Sequence, residues 1–379
     1  MSKINVLGTG IVGSAAAFDL VRRGHDVSVA DGDPAAAARC GDLLGVPHVV
    51  IDAADGAAVA GFLEGCAAVV SAVPYGYGTM VAEAAIGAGC HYLDFGGNPS
   101  VVAGQLQLDG RARAAGIAVV PDCGLAPGFA NVLTFAAADR LGDGPIDVVG
   151  LRVGGLPIDP EGTLEYQIAF SPGGLINEYA EPCEVLRDGA YATRPPLTGF
   201  ETVEWEGWGP LEAFHTAGGS SSLPRLFEGR VRHLDYKTLR YPGHGRIFRA
   251  MLELGLFDET PVDAGGVAVA PRALLLERLN ATLPSGRPDV VLLRAWAEAD
   301  REGRRRAAGY QVVDRHDGTH SAMARTTAFP TTALAHLLAT GALGMVGAAT
   351  MDACVHADDL IPELAGTGIV IEDWVPQPA

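Results

Sequence analysis

The sequence predicts an α/β protein, built on a doubly wound parallel sheet into which a second, α+β domain is inserted. Up to residue 124, short β-rich runs alternate with stretches of helical periodicity, which is typical of a parallel sheet with helices on both faces. From about Leu125, strand-like runs are mixed with loops rich in Gly, Pro and Ser, as in largely antiparallel sheets. We therefore predict a first domain at 1–124, a second at 125–330, and a helical segment at 331–379 that returns to the first domain.

The strands of the first domain are predicted from short apolar runs rich in Val, Ile and Ala. They lie at 4–7, 27–30, 48–51, 67–73, 91–95 and 117–121. Stretches of helical spacing separate them, and Gly24 closes the first of these as a C-cap residue would. The predicted helices lie at 15–23, 35–44, 57–63, 79–88 and 105–115.

In the second domain, strands are predicted at 147–153, 165–170, 233–241, 290–298 and 309–314. Residues 331–371 have helical periodicity and end in a short apolar run.

Composition limits the class of protein. Of the 379 residues, 48% are hydrophobic and 19% are charged, which is enough apolar surface for a large core and more than one domain. The net charge of −18 argues against nucleic acid or an anionic membrane surface as a partner. No apolar stretch approaches the length of a membrane span.

The spacing of the cysteines and the composition of the first residues predict the cellular compartment of the protein. The six cysteines form no C-x-x-C pair and no spacing typical of metal sites, so we predict no metal. Glycines and polar residues break the apolar run between positions 8 and 14, which argues against a secretory leader. We therefore expect a reduced, cytoplasmic protein.

The segment after the first strand has the spacing G-x-G-x-x-G. Gly8 permits a tight turn, Gly10 lets the backbone approach a pyrophosphate, and Gly13 lets the helix pack closely on the strand. The order of strand, glycines, helix, strand and acid favours a dinucleotide site of the Rossmann type over an ordinary strand–turn–helix. Ile11 and Val12, between the last two glycines, are predicted to contact the cofactor as well.

Asp31 predicts which dinucleotide binds. It ends the second strand at about the twenty-residue offset where a carboxylate accepts hydrogen bonds from the adenosine ribose. Because a carboxylate repels a 2′-phosphate and no basic residue follows immediately, we predict NAD rather than NADP. Ligands of such sheets bind beyond the carboxyl ends of the strands. Further cofactor contacts are therefore predicted at Asp52, Ala72, Val73 and Pro74.

Several motifs resemble those of saccharopine dehydrogenase-like enzymes and occur in the same order. They are YLDFGGN (92–98), PDCGLAPGFAN (121–131), FSPGGLINEY (170–179) and LDYKTLRYPGH (234–244). With AFHTAGGSSSLP (213–224), they are most similar to the lysine 6-dehydrogenase branch. The resemblance implies a Rossmann domain split by a substrate and oligomerisation domain, NAD dependence, a homo-oligomer, and oxidation of a primary or secondary amine.

Such a reaction needs a base, because an ammonium group cannot release hydride from its carbon. Asp94 lies at a predicted strand end, where its carboxylate could serve the reacting end of the substrate; the alternative is an acid that stabilises a turn. Cys123 follows the next strand and could contact substrate, or it could be a small buried hydrophobic side chain.

Lys237, Arg240 and His244 share one predicted strand and its turn. Arg240 suits a substrate carboxylate because its planar fork binds two oxygens. Lys237 is either a base whose pKa burial lowers or one half of a structural ion pair. A regular strand points Lys237 and Arg240 to opposite faces, so both serve one pocket only if the strand bends. His244 could relay protons or could simply be exposed in its turn.

We predict NAD-dependent oxidative deamination of the ε-amine of L-lysine, or of a close analogue, to a semialdehyde that cyclises to a piperideine carboxylate. The second interpretation is a saccharopine-type enzyme acting on a secondary amine, which needs two carboxylate anchors where the sequence offers Arg240. The third, from another class, is a non-catalytic NAD-binding sensor or scaffold. The polar residues at the strand ends argue against this last interpretation.

Overall fold

A computed structural model describes residues 1–377 of the chain, which form two compact units. Unit 1 comprises Met1–Ala136 and Met323–Val370. Unit 2 comprises Ala137–Ala322 and, at the C-terminal side, residues 371–377. The boundaries therefore lie at 136/137, 322/323 and 370/371, whereas the composition placed them at 124/125 and 330/331.

The first part of unit 1 alternates strands and helices along the chain. The elements are β1 (Lys3–Leu7), α1 (Ile11–Arg22), β2 (Asp26–Asp31), α2 (Pro34–Leu44), β3 (His48–Val50), α3 (Gly56–Leu63), β4 (Ala68–Ser71), α4 (Gly78–Ala88), β5 (His91–Asp94), α5 (Pro99–Leu106), α6 (Asp109–Ala115), β6 (Ala118–Val120) and α7 (Ala130–Asp139). Each strand predicted in this region is confirmed. The helix predicted at 105–115 is wrong in extent, because α5 begins earlier: Asn98 accepts hydrogen bonds from the next turn and Pro99 starts the helix.

Unit 2 contains more strands than the sequence patterns predict. Its elements are β7 (Ile146–Pro157), α8 (Pro172–Ala180), β8 (Cys183–Arg187), β9 (Ala190–Arg194), β10 (Glu201–Trp205), β11 (Gly209–His215), α9 (Leu223–Leu226), β12 (Val231–Arg240), α10 (His244–Glu253), β13 (Val262–Asp263), β14 (Ala268–Val269), α11 (Pro271–Thr282), β15 (Asp289–Arg301) and β16 (Arg304–Arg315). The strand predicted at 165–170 is wrong. Glu165 has φ +45°, a left-handed conformation that interrupts an extended strand.

The C-terminal segment passes from unit 1 to unit 2. It forms α12 (Ala322–Thr340), β17 (Gly347–Ala348), α13 (Met351–Cys354), α14 (Ala357–Glu363) and β18 (Ile371–Asp373). β17 pairs with β6 in unit 1. Up to Val370 the segment belongs to unit 1, which agrees with the predicted return to the first domain. β18 differs from that prediction, because it pairs with β16 in unit 2.

The sheet of unit 1 has the strand order β17-β6-β5-β4-β1-β2-β3 and is parallel throughout. This is the doubly wound order, in which the chain reverses direction across the sheet between β1 and β4. One buried cluster joins strand and helix residues: Leu7, Val69 and Tyr92 of the strands pack with Val59 of α3 and Val81 of α4. The carboxyl ends of β1 and β4 therefore open on the crevice where such sheets bind ligands.

The main sheet of unit 2 is mixed. Seven strands follow the order β10-β11-β12-β7-β15-β16-β18, and the β8–β9 hairpin is attached through β12. Only the β12–β7 pair is parallel, which confirms the prediction of a largely antiparallel sheet. Within residues 1–377, no helix combines the length and the apolar character that crossing a membrane requires.

Candidate functional site

The glycine loop of unit 1 is packed so closely that side chains are excluded at two of its positions. Gly8 has φ +96°, and a Cβ there would lie 2.7 Å from the Ala72 carbonyl carbon. A Cβ on Gly13 would lie 2.0 Å from the Gly8 oxygen. Gly8 thus permits the turn, and Gly13 permits the close contact of α1 with the loop, as predicted from their spacing.

Gly10 differs, because a Cβ at this position would meet no atom within 4 Å. It directly precedes α1, and no side chain caps the free N–H groups of that helix. Helix N-termini with free N–H groups bind pyrophosphate. Ile11 is 54% exposed and Val12 is half-buried beside this open space. The loop therefore fits a dinucleotide: the backbone is bare where a pyrophosphate would approach.

Asp31 ends β2 next to this loop. One of its oxygens accepts hydrogen bonds from the Thr9 N–H at 2.6 Å and the Thr9 hydroxyl at 2.9 Å, and the other accepts from the Asp33 N–H at 2.9 Å. Partial burial favours a raised pKa, but these hydrogen bonds outweigh it and hold the pKa of Asp31 below its ordinary value. Asp31 is therefore a fixed negative charge at the rim of the loop.

The other predicted cofactor residues lie at two different strand ends. Ala72, Val73 and Pro74 follow β4, and the Ala72 N–H donates to the Leu7 carbonyl at 2.7 Å, which places this turn beside the glycine loop. Asp52 follows β3 at the edge of the sheet, where its exposed carboxylate accepts from the Ala54 N–H at 2.9 Å. Asp52 thus stabilises a turn, separated from β1 by β2.

Asp94 accepts four hydrogen bonds from within unit 1. Oδ2 accepts from the Tyr92 hydroxyl at 2.8 Å and from Gln105 Nε2 at 2.6 Å. Oδ1 accepts from the Gly96 N–H at 2.8 Å and the Asp122 N–H at 3.2 Å. These contacts join the ends of β5 and β6 and use both oxygens of the carboxylate, which favours the turn-stabilising alternative.

Cys123 is fully buried at the end of β6. Its thiol lies 3.2 Å from the Val120 carbonyl, and burial raises the pKa of the thiol well above its ordinary value. A protonated thiol with no exposed surface behaves as a small hydrophobic side chain. The structure therefore offers no substrate contact through Cys123.

In unit 2, Arg240 and His244 come together through Tyr179 of α8. Arg240 Nε donates to the Tyr179 hydroxyl at 3.0 Å, and Nη1 donates to the Leu239 carbonyl at 2.8 Å. The guanidinium carbon lies 5.2 Å from the ring centroid of Tyr166. Within the described part of the chain, Nη2 has no acceptor, so one edge of the guanidinium remains for a ligand.

His244 opens α10 and is 1% exposed, so it does not lie in an exposed turn. Burial, with the Arg240 charge as a second cause, lowers the pKa of His244 to about 3. The neutral ring lies 3.0 Å from the Leu164 carbonyl through Nδ1 and 3.0 Å from the Tyr179 hydroxyl through Nε2. Nδ1 must therefore carry the proton and donate to Leu164, while Nε2 accepts from Tyr179, which orients the hydroxyl that Arg240 contacts.

Glu178 precedes Tyr179 on α8 and was not singled out from the sequence, although it lies within the FSPGGLINEY motif. It is half-buried, and desolvation raises its pKa to about 7, although the positive charge of Arg240 opposes the shift. In the sequence, Glu178 could have been identified as a candidate because it is a carboxylate among apolar residues. Its burial near Arg240 could not be predicted, because it depends on residues far away in the chain.

Lys237 lies on the opposite face of β12 from Arg240. Its Nζ donates to Glu201 Oε2 at 2.7 Å and lies 3.9 Å from Asp235 Oδ2. Arg152 contacts the same two carboxylates. Lys237 is therefore part of a buried ion network, and β12 runs unbroken past it, so Lys237 and Arg240 do not share a pocket.

Among residues 1–377, no group of three or more His, Cys, Asp or Glu side chains could hold a metal ion. The functional groups that the structure assembles are thus the glycine loop with Asp31 in unit 1 and the cluster of Arg240, Tyr179, His244 and Glu178 in unit 2.

Two family descriptions match this chain. Residues 124–369 match the saccharopine dehydrogenase C-terminal domain, and residues 4–120 match the saccharopine dehydrogenase NADP binding domain. In fold, the chain is similar to a saccharopine dehydrogenase (L-Glu forming) from Saccharomyces cerevisiae, with a TM-score of 0.81, 18% identity and 100% of each chain covered. A probable dehydrogenase from Thermotoga maritima matches with a TM-score of 0.44 and 11% identity, over 96% of this chain and 94% of that chain.

Proposed function

The chain belongs to the saccharopine dehydrogenase family, and we propose that it oxidises the ε-amine of L-lysine, or of a close analogue, with NAD. As a member of this family it is an oxidoreductase that uses a nicotinamide dinucleotide on an amino acid or amine. In the proposed reaction the ε-carbon loses a hydride, water hydrolyses the resulting imine, and ammonia leaves. The semialdehyde then cyclises on its own α-amine.

The cofactor, when bound, supplies the hydride acceptor. Gly10 and the start of α1 would hold the pyrophosphate, since the backbone is open there and its N–H groups are free. Asp31 supports NAD over NADP because its carboxylate is kept ionised by Thr9 and Asp33, and a fixed negative charge repels a 2′-phosphate.

The observation that carries the substrate class is the Arg240 guanidinium, which Tyr179 holds with one edge free. That edge matches the α-carboxylate of an amino acid, and the half-buried Glu178, whose pKa responds to the Arg240 charge, supplies a carboxylate for the α-ammonium. Tyr179 and His244 hold the guanidinium in place through a chain of hydrogen bonds that ends at the Leu164 carbonyl. One cation and one anion suit a single amino acid head group. Saccharopine, with several carboxylates, would require further cations.

The lysine assignment also rests on the five motifs that are most similar to the lysine 6-dehydrogenase branch. The structure gives less support to the residues that the sequence offered as a base or proton relay. Asp94 accepts hydrogen bonds from four donors, Lys237 donates to Glu201, and both ring nitrogens of His244 have hydrogen-bond partners. Arg240 and Glu178 therefore have binding roles in the proposed reaction.

Formation of NADH tests this proposal directly. We expect NADH absorbance to rise with L-lysine, to rise more slowly with 6-aminohexanoate, which lacks the α-amine, and to rise little when NADP replaces NAD. The lysine product should react with o-aminobenzaldehyde, as a cyclic imine does. Turnover of saccharopine with release of glutamate, and no turnover of lysine, would move the enzyme to the second interpretation.

A further inference from the structure

Unit 2 contains a cavity of about 460 Å³ that belongs to neither group of functional residues described above. Its volume is within the range of small-molecule sites, about 300–1,000 Å³. No carboxylate lines it, and two of its lining residues are arginines. The lining residues are Arg187, Arg194, Pro195, Thr198, Gly199 and His215.

The cavity lies on the opposite face of the sheet from Arg240. His215 is directly opposite Lys237 in the antiparallel β11–β12 ladder, so the two side chains share a face. Lys237 and Arg240 are three residues apart on a regular strand and point to opposite faces. The cavity therefore cannot supply the second carboxylate anchor of a substrate held at Arg240.

The two arginines project from one face of the β8–β9 hairpin. Arg194 is opposite Cys183 in that hairpin, and Arg187 lies four residues beyond Cys183 on the same strand. Because side chains alternate between faces, Arg187 and Arg194 share a side. Within residues 1–377 neither has a carboxylate partner, and the buried Nε of Arg187 has no hydrogen-bond partner.

His215 adds a third unsatisfied polar group. It is 4% exposed, its Nε2 lies 3.4 Å from Asp235 Oδ2, and its buried Nδ1 has no partner among the described residues. Burial alone would raise the pKa of Asp235, but the Arg152 charge and the hydrogen bond from His215 outweigh it and hold that pKa well below its ordinary value. The contact with Asp235 holds the imidazole in place at the wall of the cavity.

Gly199 makes room for this ring. It has φ +65°, and a Cβ there would lie 2.5 Å from Cε1 and 2.6 Å from Nδ1 of His215. The glycine thus lets the imidazole lie against the backbone of the cavity wall.

We propose that this cavity binds the oxyanion of a small molecule, a phosphate or a carboxylate, between Arg187 and Arg194, with His215 at its wall. Forked guanidinium groups are the donors that bind such anions most strongly, and these two line the cavity without a carboxylate partner among residues 1–377. The overall charge of −18 repels anions, so binding here depends on these local groups.

The test is calorimetric titration of the whole protein with two probes, inorganic phosphate and succinate. Both unaltered protein and an Arg187→Gln/Arg194→Gln double variant are titrated, with Arg278→Gln as the control for an exposed arginine on α11 outside the cavity. We expect at least one probe to bind and the double variant to bind it at least about tenfold more weakly, the effect of losing a charged hydrogen bond. The Arg278→Gln protein should bind as the unaltered protein does.

The stronger probe identifies the source of the oxyanion. Tighter phosphate assigns the site to phosphorylated molecules, and tighter succinate assigns it to carboxylic acids. If the double variant does not fold, the exposed Arg194→Gln alone should weaken binding several-fold without lowering the melting temperature. The proposal is overturned if neither probe binds. It is also overturned if the unaltered protein and the double variant bind the probe with the same affinity, because the anion would then be bound elsewhere, for example at α1 or at Arg240.

Discussion

At the scale of single residues, Glu178 acquires its chemistry from its surroundings. Desolvation raises its pKa from an ordinary value of 4.5 to about 7. An acid whose pKa is raised in the folded state contributes stability that is complete below the unfolded pKa and is lost as the pH rises through the folded pKa. For Glu178 that window runs from 4.5 to about 7.

We therefore predict that Glu178→Gln removes part of the pH dependence of stability. Between about pH 5 and about pH 8, the free energy of unfolding of the unaltered protein should fall relative to the variant by roughly 2 kcal/mol, a value that allows for solvent screening at a half-buried site. Urea unfolding at the two pH values measures this. Parallel pH curves for the two proteins would show that the carboxyl titrates normally.

The same substitution tests substrate recognition. Because the glutamine cannot pair with an α-ammonium, the variant should lose the preference for L-lysine over 6-aminohexanoate, mainly through a higher Michaelis constant for lysine. We expect a change of about tenfold, the effect of one charged hydrogen bond. A variant that keeps the preference would remove Glu178 from the substrate site while leaving Arg240 in place.

Replacing the Asp94 carboxylate, which accepts four hydrogen bonds, should lower the stability of the protein. In Asp94→Asn, the new amide N–H₂ must face either the Tyr92 hydroxyl and Gln105 or the two backbone N–H groups. We predict a loss of about 1–3 kcal/mol in the free energy of unfolding, the cost of leaving a buried polar group unpaired. Asp52→Asn is the matched control: its exposed carbonyl can still accept from the Ala54 N–H, and the protein should stay within about 0.5 kcal/mol. Equal stability of both variants would contradict this account of Asp94.

At the scale of elements, two glycines at the start of α1 have different roles: Gly10 leaves room for the cofactor, and Gly13 allows α1 to pack on the loop. Gly10→Ala places its methyl group in open space, so the fold should lose no more than about 1 kcal/mol while dinucleotide affinity falls by about tenfold or more. Gly13→Ala drives a methyl group against the Gly8 carbonyl and should destabilise unit 1. Thermal melting and NAD titration of the two variants measure this contrast. Unchanged NAD affinity in Gly10→Ala would argue that the cofactor does not approach this turn.

At the scale of the whole molecule, residues 323–370 belong to unit 1, and the strand that follows them, β18, belongs to unit 2. β18 extends the second sheet, and Trp374 packs against Trp296 with ring centroids 5.6 Å apart. Arg140 donates to Asp373 at 2.6 Å, and the guanidinium of Arg294 lies 4.5 Å from the Trp374 ring. The last strand therefore adds both apolar and ionic contacts to unit 2.

We predict that ending the chain at Val370 destabilises unit 2 selectively, by roughly 2 kcal/mol for the buried aromatic surface alone. All four tryptophans of the chain lie in unit 2, so the fluorescence of the remaining three follows that unit, while calorimetry follows both. Asp373→Asn, which removes only an exposed ion pair, should cost less than about 1 kcal/mol. A truncated protein whose fluorescence transition is unshifted would show that β18 adds nothing to unit 2.

The parallel sheet and the dinucleotide loop could be predicted from the amino-acid sequence. Both depend on short-range order: apolar runs that alternate with helical periodicity, and the spacing of Gly8, Gly10 and Gly13 before Asp31. The sequence also predicted that Lys237 and Arg240 lie on opposite faces of β12, because side chains alternate along a strand and these two residues are three positions apart.

The roles of the polar residues of unit 2 depend on tertiary contacts and could not be predicted from the sequence. Lys237 is part of an ion network because it donates to Glu201 of β10, and the His244 ring is neutral because burial and the Arg240 charge lower its pKa. Glu178 gained an unusual pKa through burial near Arg240. Each role depends on a partner far away in the chain and on the exclusion of water, neither of which the spacing of residues along a sequence records.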